Sequence, residues 1–223
     1  MSSVFPTAGW PGPTPQIFTG QFITLTPLNP DTDVDELFTG SHEPASVDGL
    51  WRHLPRGPFA DVAEMREWLR TQAATPDMIP FTVTDNAAGR RIGSISLMRI
   101  TPAHGVAELG WIWYAPSAQR TKANTEANYL LLRHCFADLG YRRMEWKCDV
   151  ENVRSRAAAL RLGYSFEGIF RQHMVIKGLN RDTAWFAMLD RDWPRIAAAM
   201  ERWLHTDDAQ PLAARSADAG TEQ

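Results

Sequence analysis

Apolar and polar positions change period several times along this chain, and each change marks an element. In "DVAEMREWLRTQ" (61–72), Val62, Met65, Trp68 and Leu69 recur at helical spacing. Asp61 and Glu64 stand three apart, as in a capping box, so a helix starts there. A second helical stripe, Trp193, Ile196, Met200 and Trp203, follows a cap at Asp192. Between these runs come three strand candidates. "PFTVTD" (80–85), "RIGSISLMRI" (91–100) and "VAELGWIWY" (106–114) read as strands, separated by the turns "DNAAGR" (85–90) and "TPAHG" (101–105). Short turns make these three strands antiparallel neighbours. "RRMEWKCDV" (142–150) alternates Met144, Trp146 and Cys148 with charged residues and is a further strand. "SFEGIFRQHMVI" and "RDTAWFAML" are two more, joined across "KGLN" (177–180). Shorter signals give a strand at "QFITLTPL" (21–28) and a helix at "DTDVDELFTG" (31–40), capped by Asp31 and ended by Gly40. A loop with Trp51 and "PRGPF" (55–59) follows. Another helix, "NVRSRAAALRLG" (152–163), runs from Asn152 to Gly163.

Strand 106–114 reaches strand 142–150 through a helix, which favours a parallel pair at that junction. A mostly antiparallel sheet with one parallel junction leaves a gap that side chains cannot fill from both sides. Ligands favour such places.

Composition narrows the function classes. A chain of 223 residues suits one large domain or two very small ones, and can bury a core without disulfides. Residues 1–20 are rich in proline and glycine and read as an irregular arm. Residues 206–223 are small and polar and are expected to be disordered, which leaves 21–205 as a single folded domain. A net charge of −3 argues against a nucleic-acid binder. Cys135 and Cys148 form no CxxC pair and read as reduced, buried thiols of a cytoplasmic protein. No apolar run is long enough for a membrane span, and the amino terminus lacks the basic start and apolar run of a signal peptide. His42, His53, His104, His134, His173 and His205 have no close metal-ligand spacing, so no metal is expected.

The chemistry concentrates around "APSAQRTKANTEANYLLLRHCF" (115–136), a loop feeding a helix that extends to about Leu139. A helix start offers unpaired N–H groups and partial positive charge, enough to hold a diphosphate without metal. Arg120 and Lys122 add two cations, Asn124 or Thr125 can cap, and Ala123 and Thr125 keep the backbone approachable. An ordinary capped helix with a solvated basic start explains the same residues. Glu108 lies in an apolar strand with Gly110, Ile112 and Tyr114 on its face. Such a half-buried carboxylate can act as a base, or be satisfied by backbone or an arginine. Asn152 and Ser155 open their helix at i, i+3, as a cap does.

The order of elements, with "AELGWIWY", "RTKANTEANYLLLRHCFADLGYRRMEWKCDVENVRSRAAALRLGYSFEGIFR" and "RDTAWFAMLDRDWP", resembles the GCN5-related N-acetyltransferase (GNAT) superfamily over about 21–191, and more closely its RimJ/RimL-like branch. The resemblance implies an α+β fold: a mixed, mostly antiparallel central sheet with helices on both faces. It implies acetyl-CoA as cosubstrate and acetyl transfer to a primary amine, either a protein N-terminus or a small amine. The family's pyrophosphate loop reads R/Q-x-x-G-x-G/A; here Arg120 takes the first place, Ala123 the first glycine and Thr125 the last small residue. The amides from Thr121 through Lys122, Ala123 and Asn124 to Thr125 match the pyrophosphate ligands, with Glu126 and Ala127 just beyond. Without the glycine, this loop is expected to keep φ negative.

By the same resemblance, a backbone N–H near Trp113 or Tyr114 serves the thioester oxygen, Asn152 contacts the pantetheine, and Glu108 is the base. Many relatives place a tyrosine acid where Ala159 stands, so Ser155 is the expected donor to the leaving sulfur. Tyr164, after Gly163, packs. Trp51 and Phe59 border the acceptor pocket, or else form an arm-packing cluster with Trp10. Glu167 faces the acceptor cleft, or pairs with Arg171 or Arg181. Other acyl donors such as succinyl-CoA, a CoA-binding module without turnover, and a structural partner protein remain alternatives. The arm packs within one chain or across a homodimer.

Overall fold

Eight strands form one sheet in the computed structural model, which describes residues 6–206. The first five residues of the arm and positions 207–223 of the expected disordered tail lie outside the described residues. The strands are β1 (Phe18–Thr19), β2 (Ile23–Pro27), β3 (Ile79–Asp85), β4 (Arg90–Thr101), β5 (Val106–Tyr114), β6 (Arg143–Asp149), β7 (Ser165–Ile176) and β8 (Leu179–Leu189). They lie in the order β1-β2-β3-β4-β5-β6-β8-β7. Every neighbouring pair is antiparallel except β5–β6, which is parallel as the helical crossover requires.

The helices are α1 (Pro30–Ser41), α2 (Val47–Trp51), α3 (Val62–Ala73), α4 (Lys122–Arg133), α5 (Val153–Arg161) and α6 (Trp193–His205). Two apolar clusters show how they flank the sheet. One joins Phe81, Ile95, Leu97, Ala107 and Leu109 to Leu131 of α4 and to Ile196 and Met200 of α6. The other joins Val34 and Leu37 of α1, Trp51 of α2, and Met65 and Leu69 of α3 to Trp113 of β5. Alternation along β5 sends Ala107 and Leu109 to the α4 side and Glu108 to the α1–α3 side. Each fully buried Leu or Ile stabilises by about 1.5–3 kcal/mol, so both clusters fix the sheet between its helices.

Several local expectations change. The arm contains β1, which pairs Phe18 with Leu25. Its indole-bearing stretch docks within the same chain: Trp10 N–H donates to Pro102 O at 3.0 Å. The first helix begins at Pro30 with Asn29, not Asp31, as its cap, because proline suits the first helical position. The loop holding Trp51 contains the short α2. The helix from 61 starts as expected, with Glu64 N–H donating to Asp61 Oδ1 at 2.8 Å. Both cysteines are free and buried.

Candidate active site

The parallel junction is short. Val106, Ala107 and Glu108 pair with Arg143, Met144 and Glu145, and beyond that row β5 and β6 no longer pair. A bulge in β5 lies just past the opening: Ser94 faces Trp113 and Ser96 faces Gly110, so Trp111 and Ile112 together oppose Ile95. Trp111 takes a left-handed φ of 51°. The bulge breaks the simple alternation expected from Glu108 to Tyr114. Trp113 enters the α1–α3 cluster while Tyr114 enters the α4 cluster. Ala115 N–H donates to Ile92 O across β4 at 2.8 Å, so alternation turns the Tyr114 N–H away from β4, toward the opening. Trp113 Nε1 and the Tyr114 hydroxyl are buried with no hydrogen-bond partner among the described residues. Burial raises the Tyr114 phenol well above its ordinary value.

Glu108 stands on the last paired row, at the edge of the opening. Its carboxylate is almost fully buried, with Lys147 Nζ at 2.8 Å and Arg99 Nε at 3.1 Å. Burial raises its pKa from 4.5, and Lys147 and Arg99 offset only part of that rise. Lys147 also reaches Glu145 Oε2 at 2.8 Å and lies over the Trp185 ring, 3.8 Å from its centroid.

Ser155 sits across the sheet from Glu108. Asn152 Oδ1 accepts from Ser155 N–H at 3.1 Å and so caps α5, as expected. Ser155 Oγ accepts from Trp146 Nε1 at 2.9 Å. Trp146 belongs to the α4-side cluster, whereas Glu108 shares its face with Glu145 and Lys147. The two expected proton-transfer groups therefore flank the β5–β6 opening from opposite faces. Burial pushes the nearby Cys148 thiol up, and a hydrogen bond with Ser155 opposes this. Tyr164 is buried against Trp146, with ring centroids 5.7 Å apart, which fits a packing role.

The phosphate-type loop differs from expectation in three ways. The α4 cap is Thr121, whose Oγ1 accepts from Ala123 N–H at 3.3 Å, rather than Asn124 or Thr125. Lys122 and Ala123 are good helix formers and draw the start forward. Asn124 instead accepts from Asn128 Nδ2 at 3.0 Å, and Thr125 Oγ1 accepts from Arg161 Nη1 at 2.9 Å. Second, φ does not stay negative: exposed Arg120 takes 63°, so the loop makes its turn there and not at Ala123. Third, Lys122 Nζ donates to Leu204 O at 2.8 Å and Thr206 O at 3.4 Å. This cation sits at the carboxyl end of α6, where the helix dipole favours it. A hollow of about 150 Å³ beside the helix start is lined by Thr121, Lys122 and Ala123, with Gln21, Phe22, Asp85 and Ala87 opposite. Amides of this first turn and the Arg120 guanidinium suit a diphosphate.

Trp51 is completely buried; its Nε1 donates to Ser41 O at 3.2 Å, and its ring meets Phe59, Trp68 and Trp113 at 5.1, 5.7 and 5.5 Å. It does not cluster with Trp10, which lies against Gly105. Phe59 shares the Trp51 cluster. Glu167 pairs with neither Arg171 nor Arg181: both its oxygens accept from Arg143, at 2.9 and 2.6 Å. A bulge between Phe166 and Gly168 shifts the register there, which the alternating sequence conceals. Arg143 also reaches Glu145 Oε1 at 2.8 Å, extending the charged chain that begins at Arg99.

Sequence reasoning missed Lys147 and Arg99, and it placed Glu126 just beyond the pyrophosphate amides without its anchoring contacts. The first two alternate as polar positions on strands, a weak signal. Glu126 accepts N–H groups of Gln21, Phe22 and Ile23 at 2.7, 2.7 and 2.8 Å, so its side chain is committed to the amino-terminal strand. No group of three or more His, Cys, Asp or Glu residues among the described residues can hold a metal.

Comparison with known proteins gives a consistent picture. The family described as Acetyltransferase (GNAT) domain matches residues 23–165. The chain is 33% identical over 98 residues to the ribosomal-protein-serine acetyltransferase of Escherichia coli strain K12, and 30% identical over 105 residues to YdaF of Bacillus subtilis strain 168. These matches cover 44% and 47% of this chain and span 54% and 57% of the two relatives, little more than half their length. A GCN5-related N-acetyltransferase from Brucella melitensis has a similar crystal structure, with TM-score 0.90 and 42% identity, covering 94% of this chain and 97% of that one. Mycobacterium smegmatis RimJ shares the fold at TM-score 0.65 and 23% identity, covering 89% of each chain.

Proposed function

The chain belongs to the GNAT family of acetyltransferases, and from that premise we propose that it stands on the family's RimJ/RimL-like side and moves the acetyl group of acetyl-CoA to a primary amine. The observation that carries the reading is the β5–β6 ladder, which opens directly after the row holding Glu108. Acetyl-CoA lies in the opening, its diphosphate on the Thr121–Thr125 amides and Arg120. Asn152 steadies the pantetheine. The Tyr114 N–H donates to the thioester oxygen as charge gathers there. Glu108 takes the amine's proton, directly or through water, as the N–C bond forms. The C–S bond breaks, and the Ser155 hydroxyl donates a hydrogen bond to the departing thiolate, which takes its proton from water. With the groups on opposite faces, the amine approaches the carbonyl carbon from the α1–α3 side while the sulfur leaves toward α5. Trp51 and Phe59 set the acceptor side through the rings they support, Trp68 and Trp113. Glu167 acts by fixing Arg143. Residues 21–205 work as one domain behind the arm, in the cytoplasm, on a small amine or a protein N-terminus.

One observation favours a second reading. Lys147 and Arg99 hold Glu108 as a structural ion pair would, which suits a CoA-binding module without turnover. Calorimetric titration with acetyl-CoA and dephospho-CoA, followed by an assay of CoA release, separates the two. Micromolar binding weakened by Arg120→Ala, with release that needs both an added amine and Glu108, supports transfer. Binding without release supports the module. No binding at millimolar acetyl-CoA sinks both.

A further inference from the structure

A second hollow, of about 250 Å³, lies on the Glu108 face of the sheet. Its walls are Pro55 and Arg56 on one side and Trp68, Thr71, Gln72 and Thr75 of α3 and its end on the other. Met78 and Trp111 close it below. Gln72 is only 4% exposed, yet its Nε2 has no hydrogen-bond partner among the described residues. A buried amide left unpaired costs roughly 1–3 kcal/mol, so a fold retains one where something else satisfies it.

Strand register places this hollow beside the reacting centre. Ile79 pairs with Leu97 and Leu97 with Leu109, so Met78, Met98 and Glu108 form the adjoining row on the opposite face. Two strand spacings separate Met78 from Glu108, about 10 Å. A Cβ at Gly110 would meet Met98 Sδ at 2.5 Å and Glu108 Oε1 at 3.4 Å, so the thioether packs onto the bare glycine backbone beside the Glu108 carboxylate. The bulge that turns Trp111 out packs its ring edge-on to Trp68, 5.6 Å away, and shapes the apolar wall.

We propose that this hollow is an acceptor subsite: it takes the third residue of a peptide whose free N-terminus is at Glu108, with Gln72 bonding a peptide carbonyl. The assignment rests on the amine-transfer reading above. An extended peptide advances about 3.3 Å per residue, so the third residue stands about 7 Å beyond the first and its side chain covers the remaining distance to the hollow. An apolar side chain meets Trp68, Trp111 and Met78, and the Gln72 amide meets the carbonyl. A monoamine or dipeptide is too short to reach it.

The test compares C-terminally amidated peptides of one, two, three and five residues, with a randomised first residue and Leu at the third position. In the wild type, kcat/KM should step up between two and three residues, by about tenfold for one buried hydrogen bond plus apolar contact. Gln72→Leu should remove the step and leave the KM for acetyl-CoA and the rate with dipeptide unchanged; Trp111→Ala should also remove the step. Gln72→Leu is the cleaner variant, because replacing an unpaired buried amide with an apolar group of similar size is neutral or stabilising. Absence of the step, or a step that survives both variants, overturns the proposal. If no amine or peptide is acetylated, the transfer reading fails by itself. The hollow is then read by tryptophan fluorescence with the tripeptide amide, since Trp68 and Trp111 line it. A binding signal absent with the dipeptide and lost in Gln72→Leu supports a peptide site; no such signal removes it.

Discussion

At the scale of single residues, the decisive quantity is the protonation of Glu108. Its folded pKa lies above 4.5 because burial outweighs Lys147 and Arg99. The folded state then holds more protons than the unfolded one between 4.5 and the raised value. Stability from this group accordingly falls as pH rises through that window. Activity runs the other way, since the base must be ionised. The acid limb of kcat/KM should therefore sit above 4.5. Lys147→Met removes the largest lowering partner, so the limb should move to higher pH. Glu108→Gln should remove the limb and cut kcat by roughly 10²-fold or more. A limb that stays fixed in Lys147→Met would show that another group titrates. Ser155→Ala makes a separate point. It removes an acceptor from Trp146 Nε1 at 2.9 Å, costing about 1 kcal/mol in stability. If Ser155 also serves the sulfur, kcat should fall by roughly 10²-fold with KM for acetyl-CoA little changed. A stability loss with unchanged kcat would leave it a packing hydroxyl.

Among the elements, α4 carries more than its pattern announces. Glu126, one turn inside it, holds three backbone N–H groups of residues 21–23. Glu126→Ala would leave those donors without their charged acceptor, at about 2–4 kcal/mol. At roughly 2–4 °C per kcal/mol for a chain of this size, thermal unfolding should report it plainly. An unchanged Tm would mean that water replaces the carboxylate freely. The sequence shows α4 as a helix but not this contact, because a glutamate in a polar first turn reads as solvated. The same limit appears elsewhere. Antiparallel β3, β4 and β5 and the parallel step to β6 were legible from period and turns, since one-face burial enforces alternation. The bulge at Trp111 was not, because "GWIWY" is apolar throughout and marks no change of face. Glu108, Ser155 and Asn152 were legible as candidates. Their distribution on two faces depends on pairings between strands far apart in sequence, and Lys147 enters the site only through the β5–β6 register. Trp51 was legible as an unusual aromatic, while its complete burial depends on α1, α3 and β5 converging on it.

For the molecule as a whole, the entry to β2 and the carboxyl end of the described chain converge on α4. Glu126 anchors the backbone at 21–23, Lys122 holds Leu204 O and Thr206 O, and His205 Nδ1 lies 3.0 Å from Gln21 Oε1. Tyr129 hydrogen-bonds Glu201, tying α4 to α6 a second time. A ligand seated at the start of α4 therefore borders contacts that close the fold. A cosubstrate binding only the folded state stabilises it by about 2.7 kcal/mol at a hundred times its Kd. If the diphosphate sits on the Thr121–Thr125 amides, that gain should extend beyond the loop. Amide hydrogen exchange should slow at 121–126, and also at 21–23 and 202–206, when acetyl-CoA is added. Lys122→Met sharpens the expectation, because its ammonium faces α6 rather than standing free at the loop. It should speed exchange at 202–206 and lower Tm, yet weaken acetyl-CoA less than Arg120→Ala does. Equal losses of affinity in the two variants would mean that Lys122 swings from α6 to the phosphates on binding, and that the end of α6 is released as the cosubstrate enters.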